Sequence, residues 1–304
     1  MNINKKALDF FEKNEYEEAL SFFQKAVKES RNIQSLNNLA WMYSYEEEDD
    51  EKALELIKEV IHMNPLSYFP YNLLGEIYSK QKKWQLASDA FLKSIWIQPS
   101  NEAYHNLAIA RYRLKDVKEA SDYFLRVAGN SDSAMYSHVK CLIELGKKTE
   151  AREKLDAFMV EADEFVGEIE IADLYVELDC FNEAIYWFEK GWKDYWKDPY
   201  WISRFIYSLF HTRNITRIYE VVNEAIKQKD EEIKDAHEEE CEENWTKNDK
   251  EAHITQLLEE KNKYENMVEL ISSGHIPLME FEISITGACY LFGCKRHNHP
   301  EYQE

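Results

Sequence analysis

The sequence predicts an all-α protein of the α-α superhelix class: helix hairpins stacked side by side, closed by a capping helix and followed by a short non-repeat tail. Three observations predict it. Eight glycines and six prolines make up about five per cent of the 304 residues, against about twelve per cent in average usage. That shortage argues against sandwiches, barrels and phosphate-cradling enzymes, all of which need many tight turns. An alanine followed four residues later by a large apolar residue recurs as Ala19/Phe23, Ala53/Ile57, Ala87/Phe91, Ala120/Phe124, Ala151/Leu155 and Ala184/Phe188, at intervals of 31 to 34 residues, and a period in that range decides the whole fold. Each period holds two amphipathic stretches at helical spacing, such as Phe10, Phe11, Ala19, Leu20, Phe22, Phe23, Ala26 and Val27 in the first.

Within each unit a second marker precedes the alanine: Leu39-Ala40, Leu74-Gly75, Leu107-Ala108 and Ile171-Ala172, followed by Tyr43, Tyr78, Arg111 and Tyr175. Pro65 and Pro99 close two units twelve residues after their alanines. The third unit carries Tyr71, Leu74, Gly75, Tyr78, Trp84, Ala87, Phe91 and Pro99. This pattern resembles the tetratricopeptide repeat (TPR), over roughly residues 1–229 and six to seven units. In the fifth unit His138 and Val139 replace Leu-Gly, in the seventh (198–229) Arg217 stands where the small alanine belongs, and the second has one extra residue in its acidic turn, Glu46 to Asp50. The physical reading supports the resemblance independently. One hairpin cannot bury its own apolar face, so neighbours must stack, and the first helix of each pair then lines a concave surface. An irregular helical bundle is the alternative.

In such a fold function lies in the groove, because the repeated small and large positions only hold the stack together. Helical spacing places Asn37, Trp41 and Tyr45 on that surface in unit two, Phe69, Asn72 and Glu76 in unit three, His105, Ile109 and Tyr112 in unit four, and Tyr136 and Lys140 in unit five. Asparagine side chains grip a peptide backbone through paired donor and acceptor bonds, and aromatics add contact area. Each aromatic could equally pack against a neighbouring helix. Some tetratricopeptide proteins clamp a chaperone's carboxylate with lysine, asparagine and arginine; Asn37, Asn72 and Asn106 are present here, but Phe69, Glu102 and Asn106 stand where cations are wanted. Peptide-pheromone sensors pair such repeats with a DNA-binding helix-turn-helix, for which this sequence leaves no segment.

The charge balance, 37 basic against 58 acidic residues for a net −21, repels polyphosphate and excludes nucleic acid and anionic membranes as expected partners. No apolar run reaches the roughly 18 residues needed to span a bilayer and the start lacks a signal-peptide core, so a cytoplasmic location is expected. Five scattered cysteines read as reduced thiols. From Asp230 to Glu260, thirteen acidic residues and three lysines concentrate −10. This predicts an exposed acidic helix, either solvated or docking a basic protein. The acidic helix and a capping helix after it make up residues 230–273, the capping helix with its stripe at Ile254, Leu257, Leu258, Tyr264, Met267, Val268 and Ile271.

The tail, residues 274–304, departs from the repeat. Phe281, Ile283 and Ile285 alternate as in a short strand, and Cys289, Cys294, His297 and His299 fall within eleven residues. Thiolate and imidazole are the preferred ligands of zinc, yet the spacing is not a common finger pattern and histidines two apart point oppositely on a strand. The alternatives are a Cys/His nucleophile pair and plain packing, with Tyr290, Leu291 and Phe292 docking onto the last helices. No phosphate loop, G-x-S-x-G or zinc-protease helix is present. The sequence therefore predicts a non-catalytic interaction scaffold that binds a peptide or helix of another protein in its groove and needs no cofactor. One variant of it is a bacterial immunity or antitoxin-like protein. The rival is a zinc sensor or enzyme centred on the tail.

Overall fold

A computed structural model describes residues 2–158, 165–241 and 245–303. Glu242 and Glu243 of the acidic run, and Glu304, lie outside the described residues. The chain is all-helical, and among the described residues there is no strand. It divides into two compact units, Met1–Leu145 with Ile283–Glu304, and Gly146–Glu282.

The first unit opens with α1 (Ile3–Phe11), α2 (Tyr16–Glu29), α3 (Ile33–Tyr45) and α4 (Asp50–His62). It continues with α5 (Phe69–Lys80), α6 (Trp84–Ile97), α7 (Asn101–Arg113), α8 (Val117–Val127) and α9 (Asp132–Glu144). Consecutive helices pair into hairpins, α1/α2, α3/α4, α5/α6 and α7/α8, and each hairpin packs on the next. The same device turns each hairpin: one residue with positive φ, at Asn14, Glu48, Lys82 and Lys115, ends the first helix in the left-handed conformation. Asn32, Asp49, Ser100, Asp116 and Ser131 cap the helices that follow them by accepting a main-chain N–H.

The repeated pairs Ala19/Phe23, Ala53/Ile57, Ala87/Phe91 and Ala120/Phe124 are completely buried. Gly75 shows why the small residue is needed: a Cβ there would lie 2.5 Å from Cε1 of Phe91, so α5 and α6 could not cross as closely. The second helices α2, α4 and α6 bury one stripe each, whereas α3 and α5 are buried almost all round. Such all-round burial means a second layer covers the first helices. That layer is residues 283–303.

The second unit comprises α10 (Lys148–Leu155), α11 (Glu168–Glu177), α12 (Phe181–Gly191), α13 (Pro199–His211), α14 (Ile215–Glu238) and α15 (Lys247–Ser272). The α11/α12 and α13/α14 turns again carry positive φ, at Asp179 and Arg213. Arg217 reaches back to Glu189 of α12, Nε to Oε1 at 2.7 Å. The acidic run extends α14 without a break as far as Glu238. α15 packs along α14 and α13, burying Leu257, Tyr264, Met267 and Ile271, while Leu258 stays half exposed. Lys250 of α15 donates to the carbonyls of His237 and Glu239 and so caps the end of α14. Lys229, buried between the two helices, pairs with Glu232 at 2.6 Å and Glu260 at 2.7 Å.

A wholly buried arginine joins two first helices of this unit. Arg204 of α13 donates from Nε to Asp173 Oδ1 at 2.6 Å, and from Nη2 to Glu177 Oε1 at 2.9 Å and the Asp173 carbonyl at 3.0 Å. Its Nη1 donates to the Pro277 carbonyl at 2.8 Å. A buried charge is tolerated where its donors are filled in this way.

Candidate binding face of the first helices

In the first unit, residues 283–303 run along α7, α5, α3 and α1, the first helix of each hairpin. The contacts are chiefly to the main chain of the segment. Asn106 of α7 accepts from Thr286 N at 2.8 Å and donates to Thr286 O at 2.9 Å. Asn38 of α3 repeats the arrangement on Phe292, accepting from N at 2.8 Å and donating to O at 3.0 Å. Asn37 Nδ2 donates to Tyr290 O at 2.7 Å, Trp41 Nε1 to Ala288 O at 3.0 Å, Gln34 Nε2 to Phe292 O at 3.3 Å and Arg113 to Ile283 O at 3.2 Å. A carboxamide offers one donor and one acceptor side by side, which matches the N–H and C=O of one extended residue. The strand expected over 281–285 does not form; within it, the Ile283 carbonyl is taken by Arg113 and the Ser284 main chain by His105.

Four side chains of the segment enter the core, Cys294 among them. Tyr290, Leu291 and Phe292 are buried in one apolar cluster with Leu8, Phe11, Leu36, Trp41 and Phe69. They therefore dock onto the first helices of the chain, not the last ones. The stripes of the last helices are consumed by α15, whereas α1, α3 and α5 present an uncovered apolar face studded with amides. Phe69 stacks on Phe292 at 5.0 Å and meets Tyr290 at 5.7 Å. Gly287 passes directly over Tyr45, where a Cβ would come within 2.5 Å of the tyrosine oxygen.

At the centre lies Glu76 of α5, fully buried. Tyr290 Oη donates to its Oε1 at 2.8 Å and Tyr45 Oη donates to its Oε2. Burial pushes the Glu76 carboxyl up to about 8, against the pull of these donors and of Lys80. Burial and the neighbouring carboxylate likewise raise both tyrosines, so they remain donors.

The face thus gathers most of the residues expected from sequence. Asn37, Trp41, Tyr45 and Phe69 touch the segment directly. Trp41 and Tyr45 also stack on each other, with centroids 4.7 Å apart. His105 hydrogen-bonds with the Ser284 main chain, and burial lowers its pKa. Tyr112 packs in the cluster that receives Ile283 and Ile285 and donates to Glu144 at 2.5 Å. Ile109 is in that cluster too. Asn72 is buried without a hydrogen-bond partner for either amide atom among the described residues. Tyr136 and Lys140 are buried on α9, Lys140 pairing with Glu144. Sequence spacing missed Gln34 and Asn38, and did not assign Asn106 to a main-chain contact; an asparagine aligned with each helix crossing was the available signal.

The Cys/His group is partly convergent. One ligand atom each from Cys289, Cys294 and His297 lies within 4.8 Å of the others, with Cys294 Sγ and His297 Nδ1 at 3.3 Å. A hydrogen bond from the Cys289 thiol, helped by His297, holds the Cys294 thiol well below its ordinary value, while Cys289 as the donor is raised. His299 turns elsewhere: its Nδ1 meets the Leu291 carbonyl at 3.3 Å and its ring packs on Phe69 at 4.6 Å.

No protein-family model matches the sequence, and no curated protein matches it significantly. Solved structures match its fold. A tetratricopeptide repeat protein from Parabacteroides merdae aligns with a TM-score of 0.56 at 16% identity, over 86% of this chain and 97% of that one. PilF of Pseudomonas aeruginosa aligns with 0.52 at 18% identity, over 64% of this chain and 90% of its own. PilW, a type IV pilus biogenesis factor, aligns with 0.52 at 18% identity, over 63% and 91%. The chain is thus a protein of tetratricopeptide-repeat fold. Among the described residues no helix is long and apolar enough to cross a membrane.

Proposed function

We propose that this protein is a non-catalytic interaction scaffold whose first-helix face grips an extended segment of a partner protein, in exchange with its own residues 283–303. One observation carries the reading: Asn38 and Asn106 each close a two-bond ring on a single main-chain residue of a segment lying in that face. Because these bonds address the backbone, they select an extended conformation, and selectivity comes from a few pockets. Here the pockets take an aromatic against Phe69 and a hydroxyl donor at Glu76. A competing segment would need a small residue over Tyr45, as Gly287 provides. The protein-binding role is in keeping with the fold.

The test uses the full chain carrying Tyr290→Ser and Phe292→Ser, which empties the core pockets and leaves the helices unaltered. A labelled synthetic peptide spanning residues 283–303 is added to it. Binding to this variant, no binding to the parent chain, and loss of binding on adding Asn37→Ala and Asn106→Ala is the expected result. A peptide that ignores the released face, or binds regardless of the asparagines, sinks the reading.

A further inference from the structure

We propose that Cys289, Cys294 and His297 form a binding site for one zinc-class divalent cation, which closes the 289–297 loop on itself. Two thiolates and an imidazole are the donors such an ion prefers, and three protein ligands leave one coordination position for solvent or an incoming donor. With the usual zinc–sulfur and zinc–nitrogen bond lengths, tetrahedral geometry sets ligand atoms about 3.5 Å apart. Cys294 Sγ and His297 Nδ1 stand at 3.3 Å, and the whole set closes within 4.8 Å, so small side-chain rotations complete it.

The surroundings hold that arrangement independently of any ion. Cys294 N donates to Leu291 O at 3.2 Å, His299 N to Cys294 O at 2.8 Å and Gly293 N to Pro300 O at 3.0 Å, which folds the chain so that residues 289, 294 and 297 face one point. Positive φ at Asn298 sends His299 away from them. From outside, Lys295 Nζ pairs with Asp9 at 2.9 Å, and Lys295 N donates to Glu12 Oε1 at 2.9 Å. Arg296 donates to the carbonyls of Phe11 and Glu12 at 3.0 and 2.6 Å. The sulfurs also have main-chain support: Cys289 is hydrogen-bonded by the Leu291 backbone and Cys294 by the His297 backbone. Amide donors of this kind orient ligands and spread their negative charge. Two thiolates and a neutral imidazole around a divalent ion give an uncharged centre, and any proton on the sulfurs leaves on binding. Cys294 is fully buried while His297 is exposed, so the ion would enter from the histidine side.

The test titrates zinc, and separately cobalt, into the full reduced chain. One equivalent should bind with release of protons, and the cobalt form should show thiolate-to-metal charge-transfer absorption. Cys289→Ser and Cys294→Ser should abolish that absorption, and His297→Ala should weaken binding by about ten-fold or more. His299→Ala should leave binding unchanged. Because His297 is exposed, its variant reports on the site with the fold intact, and helical circular dichroism checks the cysteine variants. Absence of stoichiometric binding, equal affinity in the His297 variant, or a Cys289–Cys294 disulfide in protein handled without oxygen overturns the proposal.

Discussion

The Tyr290 hydroxyl donates to a glutamate buried in α5, meeting Glu76 Oε1 at 2.8 Å across 214 residues of sequence. This bond ties the deepest side chain of the 283–303 segment to a carboxyl whose own value depends on being covered. With its pKa raised by burial to about 8, Glu76 holds a proton more tightly when the segment is in place than when the face is open. Its contribution to seating is therefore complete below the ordinary carboxylate value and is lost as pH rises through about 8. Lys80 and Glu102 also face the carboxyl and shift the midpoint, in opposite directions. Hydrogen exchange at the Phe292 amide should accelerate between about pH 5 and pH 8 beyond the intrinsic base-catalysed trend. Glu76→Gln, which keeps an acceptor without a charge, should flatten that excess. An identical pH profile in the variant would disprove the assignment.

The two asparagine rings make a positional prediction. Asn38→Ala removes its own two main-chain bonds to Phe292, leaving the one from Gln34, and Asn106→Ala removes its two bonds to Thr286. At about 1 kcal/mol per bond, each substitution costs about 2 kcal/mol of local stability. Exchange should rise about 30-fold at the amide each asparagine held, Phe292 in one case and Thr286 in the other. Equal protection in variant and parent would show that apolar burial alone seats the segment.

Gly287→Ala tests the close passage over Tyr45. The new methyl would meet Tyr45 Oη at 2.5 Å and Cε1 at 2.9 Å, and Tyr45 cannot swing aside because it stacks on Trp41 and donates to Glu76. Overpacking of this kind costs about 1–3 kcal/mol, so the segment should become accessible to protease. Gly129→Ala is the control, since nothing lies within 4 Å of a Cβ there. Matching proteolysis rates in the two variants would refute the argument.

In the second unit, Asp173→Ala takes the carboxylate partner from the buried Arg204 guanidinium, whose Nε donates to Asp173 Oδ1. Removing one partner of a buried pair costs about 3–5 kcal/mol. Urea unfolding should show a lowered midpoint for this unit, and the double change Asp173→Leu with Arg204→Met should recover much of the loss. A midpoint unaffected by Asp173→Ala would mean that Glu177 and the Pro277 carbonyl suffice to hold the arginine.

The repeat was legible in the sequence because its causes are local. An alanine and an aromatic four residues apart lie on one helix face, so Ala19/Phe23 through Ala120/Phe124 announce their own burial, and the same spacing placed Trp41, Tyr45, Phe69 and Asn72 on first helices. Even the departure at Arg217 was visible, since an arginine cannot sit in a tight crossing and instead reaches Glu189.

What covers the first helices was decided only by the tertiary structure. Asn38 meets Phe292 across 254 residues, and a carboxamide that binds main chain carries no code for which segment will supply it. The same holds for the Cys/His group. Its spacing names four candidate ligands, but backbone turns at Gly293 and Asn298 bring Cys289, Cys294 and His297 together and send His299 against Phe69. Local periodicity fixes which faces of a helix are apolar; the partner of a face depends on contacts distant in sequence, where loop geometry and packing, not residue spacing, set the outcome.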